Sequence, residues 1–537
     1  MYACKIWVSV LSSFRYRPII SEVRPASIVN AAAVRFKRSL LLPFEGFSVA
    51  LNPASNYTFP TERIRQLVTW REQFVSVLIP LIRGFALLLS RDNALSTDLY
   101  ELTMAAAYFE NKESSEATFE LFVRNLPKNR SYLIAAGLEQ VVEYLRDLRF
   151  DKPHVDFLRN HPSFKDIGDD FFRYLRKFRF TGDVWALPEG TVFFANEPIV
   201  RVTAPIIEAQ VIETYLLSTI NFQTLIATKA ARIVQSARGR GVVEFGGRRA
   251  HGPEAALLAA RSSYIGGCVG TSNVLAGYKF GIPIYGTMAH SFVMNYETEE
   301  EAFKSFCKAF PSNPALLLDT YDTLKALEKA IPLKPSLVRL DSGNRYELSF
   351  KVRRILDNVG LTQTKIFVSG DLNEYIIDDL TSRDAPIDSF GVGTELVTSR
   401  DDPALQGIYK IVETRRNGKP AFRVKTSEGK RTLPGAKQVH RTYTSNGKIN
   451  EDILALADEN ETSFGEPLLV QVLKRGKMVY ALPRLKDIKE SSLKNVSRLP
   501  AKFRNLNDSC PPPVVLSERL RRLSQALWEK PEQPAGN

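Results

Sequence analysis

The chain has 537 residues, 44% of them hydrophobic and 24% charged, with a formal net charge of +13 and a pI near 9.4. That is the composition of a globular protein with room for two or more domains, and it excludes a low-complexity or collagen-like chain. The basic balance favours polyanionic partners such as phosphates, nucleotides, nucleic acid or a membrane surface, without choosing among them. The four cysteines, Cys4, Cys268, Cys307 and Cys510, are widely spaced and form no paired motif. This argues against a disulfide framework and a zinc site, and fits a reducing compartment.

Residues 1–91 differ from the rest. The first sixty carry seven Lys/Arg and two acidic residues, the composition of a transit-like leader or of a segment with no folded role. The apolar stretch at 74–89 is short for a membrane span and is interrupted by Pro80, Arg83 and Gly84, so it reads as an interfacial or packing helix. No integral span is expected.

From Asp92 the pattern is globular, and 92–205 forms a first segment. "STDLYELTMAAAYFEN" reads as a helix capped by Thr97 or Asp98, with Leu99, Leu102, Thr103 and Ala106 at helical spacing. "EATFELFVRNLP" alternates as a strand, and 183–205 is strand-rich, with turns at Pro188, Gly190, Asn196 and Pro198.

Residues 206–404 change texture. A long helical region is followed by short apolar strands at 242–247, 282–287, 315–320, 336–343, 365–371 and 388–394, with a weaker candidate at 267–272. Helices between them start at Pro253, at Thr298, where Thr298 and Glu301 form a capping box, and at Asn373. Alternation of this kind predicts parallel βα units and, with six or seven of them, a closed if irregular (β/α) barrel. After Leu405 the pattern is antiparallel, with hairpin turns at "RNGK" and "SEGK" and a short basic helix near the C-terminus.

Polar residues concentrate where the barrel strands end, the face on which such barrels carry their active sites. They are Arg248, Arg249 and His251; Thr287 and His290; Asp319 and Thr320; Arg339, Asp341, Ser342 and Asn344; Ser369, Gly370 and Asp371; and Gly391, Gly393 and Thr394. The glycine turns "VSGDLN" and "FGVGTEL" expose backbone N–H groups suited to wrapping a phosphate. Arg248, Arg249 and Arg339 can each hold a carboxylate or phosphate bidentately, and Asp319 and Asp341 suit a magnesium-bound sugar phosphate. No GxxxxGK[ST] loop is present, and no GxGxxG opens a βαβ unit.

Several long stretches, in one order, resemble the nicotinate phosphoribosyltransferase family: "TDLYELTMAAAYF", "EFGGRRAHGPEAALLAARSSYIGGCVGTSNVLAG", "GIPIYGTMAHSFV", "VRLDSGN" and "SFGVGTELVTSRDDPALQGIYKIVE". The resemblance covers roughly 95 to 445. It implies an α/β fold, an irregular (β/α) barrel joined to an α/β sandwich built from both ends of the chain, here 92–205 and 405–537. It also implies a reaction: nicotinate and phosphoribosyl pyrophosphate give nicotinate mononucleotide and pyrophosphate. ATP hydrolysis drives it through a phosphohistidine, with Mg2+, in a homodimer with the site at the subunit interface. The expected location is cytoplasmic, with the transit-like extension leaving an organelle address open. On this resemblance His290 is the phosphorylated residue. Tyr100, Thr287 and Arg339 contact nicotinate, and Thr394 contacts phosphoribosyl pyrophosphate. The residues at the strand ends add Asp341 as a catalytic residue and Arg248, Gly370, Gly391 and Gly393 as substrate contacts. The family usually has aspartate where this chain has Asn344, which weakens the expected hold on the ribose or magnesium. Nicotinamide or quinolinate phosphoribosyltransferases, and a relative that binds nucleotides without turnover, are the alternatives.

Overall fold

The structure is a computed structural model and describes residues 92–427, 429–459 and 464–529. The leader at 1–91, with its apolar stretch, and Glu428 in the "SEGK" turn lie outside the described residues. No helix among the described residues is long and apolar enough to cross a membrane.

The two ends of the described chain meet in one seven-stranded sheet. Glu116–Val123 lies between Gly407–Arg416 and Pro198–Pro205, antiparallel to both. Asp183–Ala186, Val470–Lys474 and Lys477–Met478 continue the sheet on one side, and Lys419–Phe422 on the other, turning through Asn417–Gly418. The alternation in "EATFELFV" marks two buried faces and no wet one: Leu121 and Val123 enter the core, while Glu120 pairs with the buried Lys437 at 2.7 Å. Lys437 opens the strand Lys437–Tyr443 of a second, four-stranded sheet completed by Ile449–Leu456, Glu466–Pro467 and Val514–Leu516.

The helix Glu213–Ser236 links the sandwich to the barrel. Leu216, Ile220 and Leu225 pack in the sandwich core, while Ala230 and Ile233 pack under the barrel strands. Six strands then run parallel in the order Gly270–Thr271, Gly241–Glu244, Ser389–Val392, Lys365–Val368, Leu337–Leu340 and Ala315–Leu317. The expected strand at 282–287 does not form. It contributes one isolated bridge, Thr271 to Ile284, with two backbone hydrogen bonds to Thr271, and goes no further because Pro283 has no N–H to donate and Ile284 and Tyr285 lie half exposed, with no strand on their other side among the described residues. Backbone hydrogen bonds therefore leave the barrel unclosed between this segment and Ala315–Leu317.

Helix starts follow the expected chemistry with two differences. Asn373 accepts from Tyr375 and Ile376 N–H, as expected. The capping box at Thr298 is half made: Thr298 Oγ1 accepts from Glu301 N–H at 3.2 Å, with no return bond. Asp98 takes the N-cap position of Leu99–Glu110 without a side-chain cap, and Thr97 instead bonds Glu101 and the Val211 carbonyl.

Candidate active site

Strand alternation aims the site's side chains. In Leu337–Leu340, Val338 and Leu340 are fully buried against the surrounding helices, so Arg339 and Asp341 project to the other side. There the Arg339 guanidinium lies 5.5 Å over the Phe245 ring, and Phe245 packs at 5.3 Å on Phe367. These rings fill the interior. A Cβ on Gly391 would come within 2.7 Å of Phe367 and 2.8 Å of Phe245, so Gly391 serves as a packing residue beneath the site.

One polar network joins the ends of three strands and the segment 287–290. Arg339 donates from Nε to Ser369 Oγ at 2.8 Å, from Nη1 to Thr287 Oγ1 at 3.2 Å and from Nη2 to Asp341 Oδ1 at 2.6 Å. Ser369 Oγ donates in turn to the same Asp341 oxygen at 2.5 Å. Burial alone raises the Asp341 carboxyl, but the Ser369 hydroxyl and the Arg339 guanidinium outweigh it and hold the group below its ordinary value. Asp341 Oδ2 faces His290 Nε2 at 3.8 Å, and His290 Nδ1 lies 3.2 Å from Thr320 Oγ1. His290 begins the short helix His290–Met294, with its side chain 41% exposed. Its two ring nitrogens therefore have different neighbours. A carboxylate facing Nε2 favours the proton there, and the Thr320 hydroxyl then donates to the lone pair on Nδ1. Beside this group, Asp319 Oδ2 accepts from Ser342 Oγ at 2.5 Å, while Asp319 Oδ1 is buried without a partner.

The phosphate-type turns are built differently. Gly370 has φ +85° and lies so close to the preceding loop that a Cβ would fall 1.9 Å from the Asp341 carbonyl oxygen. Arg345 clamps the turn by donating to the Ser369 and Gly370 carbonyls at 3.1 and 2.5 Å. Gly393 precedes the four-residue helix Thr394–Val397, and a Cβ there would meet only ordinary contact, 3.5 Å from the Phe245 carbonyl oxygen. Both turns are tied from behind by Lys229 of the central helix. Its buried ammonium bonds Glu374 at 2.7 Å and Asp401 at 2.8 Å; Arg232 and Arg130 each complete a pair at 3.1 Å.

The other expected residues stand outside this network. Arg248 and Arg249 lie exposed on the turn Gly247–Arg249, at the same end of the sheet and without an ion pair among the described residues. Asn344 caps Arg345–Asn358, its Oδ1 accepting from Glu347 N–H at 3.3 Å. Tyr100 sits on the sandwich helix, 46% exposed. Partial burial and the nearby Glu213 and Glu101 raise its phenol, and no hydrogen bond links it to the barrel group among the described residues. Ser369 and Thr320 were legible only as polar residues ending strands; Phe245 and Lys229 carried no sequence signal that marked them.

A family model described as the nicotinate phosphoribosyltransferase (NAPRTase) N-terminal domain matches residues 95–221. The quinolinate phosphoribosyl transferase C-terminal domain matches 226–402, and the nicotinate phosphoribosyltransferase C-terminal domain matches 461–524. The nicotinate phosphoribosyltransferase pncB2 of Mycobacterium tuberculosis is 46% identical over 437 residues, spanning 80% of this chain and 92% of its own. The nicotinate phosphoribosyltransferase of Bacillus subtilis is 38% identical, spanning 80% and 94%. Among solved structures, human nicotinic acid phosphoribosyltransferase superposes with a TM-score of 0.72 at 30% identity, over 80% of this chain and 99% of its own.

Proposed function

The chain belongs to the nicotinate phosphoribosyltransferase family, and on that premise we propose that it makes nicotinate mononucleotide and pyrophosphate from nicotinate and phosphoribosyl pyrophosphate, the entry from nicotinate to NAD. The observation that carries this reading is the Arg339 network. An arginine has five N–H donors. Three are committed to Ser369, Thr287 and Asp341, which leaves one on each terminal nitrogen for a substrate carboxylate. Nicotinate has that carboxylate and nicotinamide lacks it. The flanking matches at 95–221 and 461–524 favour nicotinate over quinolinate.

The 5-phosphate of the ribose suits the turn at Gly393 and Thr394, and the clamped turn at Gly370 lies beside it. Pyrophosphate leaves the anomeric carbon with its bonding pair, and the pyridine nitrogen forms the new C–N bond. Arg248 and Arg249, exposed at the same end, offer charge to the leaving pyrophosphate. Magnesium fits as an ion carried largely by substrate phosphates: no cluster of three or more acidic, histidine or cysteine ligands occurs among the described residues, whereas Asp319 Oδ1 is a buried oxygen without a partner. Asp319 would hold it, and the ion would neutralise charge on the pyrophosphate. Asp341 is less suited, since its Oδ1 already accepts from Arg339 and Ser369.

ATP enters through His290. The unprotonated Nδ1 attacks the γ-phosphorus, a P–N bond forms as the P–O bond to ADP breaks, and Asp341 balances the positive ring. Water later cleaves the P–N bond, so the net hydrolysis pulls the transfer forward. Asn344 keeps the helix cap that aspartate would also supply, so its replacement leaves the loop's geometry intact.

A cytoplasmic homodimer completes the picture. Val274, Leu275 and Tyr278, the last 88% exposed, belong to the helix Val274–Phe280, whose Gly277 meets Ile284, and Ile284 and Tyr285 are themselves half exposed at the edge of the barrel sheet. A second copy covering such surface also accounts for Tyr100, which is exposed, makes no hydrogen bond to the barrel group of its own chain among the described residues, and on this reading stacks on nicotinate bound in the other. Incubation with γ-labelled ATP tests the coupled reading: acid-labile label on the wild type and none on His290→Asn supports it, and a wild type that takes up no label overturns it.

A further inference from the structure

We propose that Ser369 is a positioning residue for nicotinate recognition, closing one edge of the Arg339 guanidinium so that only the opposite, terminal edge meets the substrate. This rests on the reading of Arg339 given above and adds a residue to it. The geometry is a ring. Arg339 Nε donates to Ser369 Oγ at 2.8 Å, Ser369 Oγ donates to Asp341 Oδ1 at 2.5 Å, and Arg339 Nη2 donates to that same oxygen at 2.6 Å. Nε and one N–H of a terminal nitrogen form the side edge of a guanidinium, the edge carboxylates often grip bidentately. Here that edge is filled by the protein's own hydroxyl–carboxylate pair.

The hydroxyl is well placed to fix this choice. Ser369 is 2% exposed and is the first residue past Lys365–Val368. Its backbone is pinned on both sides: its N–H donates to the Leu340 carbonyl at 2.9 Å, and its carbonyl accepts from Arg345 Nε at 3.1 Å. A hydroxyl on a pinned backbone has one donor and can also accept, and both capacities are used. Without it, Arg339 Nε loses its acceptor, and the guanidinium can swing its side edge away from Asp341 or offer it to the substrate.

The test is steady-state kinetics on the full chain, comparing wild type with Ser369→Ala, Ser369→Cys, Ser369→Thr and Arg339→Ala. Ser369→Ala should raise the KM for nicotinate about tenfold, the scale of one lost hydrogen bond in a pre-organised site. The KM for phosphoribosyl pyrophosphate should stay close to wild type, with a modest fall in melting temperature from the unpaired Arg339 Nε. Ser369→Cys, which keeps the volume but bonds weakly, should resemble Ser369→Ala, and Ser369→Thr, which keeps the hydroxyl, should restore most of the nicotinate KM. If Ser369→Ala and Ser369→Cys leave that KM unchanged while Arg339→Ala raises it, the role of Ser369 is wrong and the reading of Arg339 survives. A rise in both substrates' KM values that Ser369→Thr does not rescue marks Ser369 as merely structural and also overturns the proposal. If Arg339→Ala itself leaves the nicotinate KM unchanged, the underlying reading fails with it.

Discussion

Replacing Arg339 separates recognition from folding in a way the structure makes quantitative. Its side chain is 12% exposed and its guanidinium gives three hydrogen bonds inside the protein, so Arg339→Ala removes two things at once. It deletes the two N–H groups left for the substrate, a charge-assisted contact worth about 1.5–3 kcal/mol, or a ten- to hundredfold rise in the KM for nicotinate. It also strips Asp341 of its cationic partner, an added cost to the fold on the order of 1–3 kcal/mol. Arg339→Lys keeps a charge near Asp341 but cannot reproduce the fork, so it should recover stability more than nicotinate affinity. The assay is initial rate against nicotinate at saturating phosphoribosyl pyrophosphate and ATP, with a thermal melt of each variant. A folded Arg339→Ala enzyme with an unchanged KM for nicotinate would remove Arg339 from the binding site and refute the reasoning.

Three further outcomes are expected. His290→Asn should lose ATP hydrolysis yet keep a slow, ATP-independent transfer, read as nicotinate mononucleotide formed without ADP; label from ATP appearing at another residue of this variant would make His290 a bystander. Gly370→Ala, at φ +85° with the Asp341 carbonyl in the way of a Cβ, should distort the clamped turn, raise the KM for phosphoribosyl pyrophosphate and lower the melting temperature; wild-type values for both would show the turn to be tolerant. Burial, offset in part by hydrogen bonds from Thr97 and Thr214, pushes the Glu101 carboxyl up from 4.5 to about 7. The folded state then holds a proton that the unfolded chain releases above about pH 4.5, so this stabilisation is present at low pH and fades as pH rises towards 7. It amounts to at most about 3 kcal/mol, and Glu101→Gln should flatten this part of the stability profile. An unchanged pH slope in Glu101→Gln would show that Glu101 is ionised in the fold.

Much of the barrel was legible because parallel strands covered on both faces read as short apolar runs, and because the polar residues that follow them fall at one end. Leu337–Leu340 and Lys365–Val368 illustrate this, each ending in residues of the site network. The run at 282–287 looked the same in sequence but has a neighbour on one side only, the two-residue strand Gly270–Thr271, and Pro283 cannot sustain a ladder, so apolar content alone overstated it. The partners within the site were not legible. Thr320 meets His290 from thirty residues away, and Ser369 meets Arg339 across two adjacent strands. Such pairs depend on strand order and register, which no local pattern encodes. Gly391 has a second reason to be glycine that the sequence did not show: Phe245 and Phe367 occupy the space a Cβ would need.

The central claim is tested most directly by supplying the purified protein with phosphoribosyl pyrophosphate, ATP and magnesium together with nicotinate, nicotinamide or quinolinate, and resolving the products. The account predicts nicotinate mononucleotide and pyrophosphate from nicotinate, with ADP formed alongside, and little product from the other two. Preferential use of nicotinamide or quinolinate, or no product from any of the three in a folded protein, would contradict it.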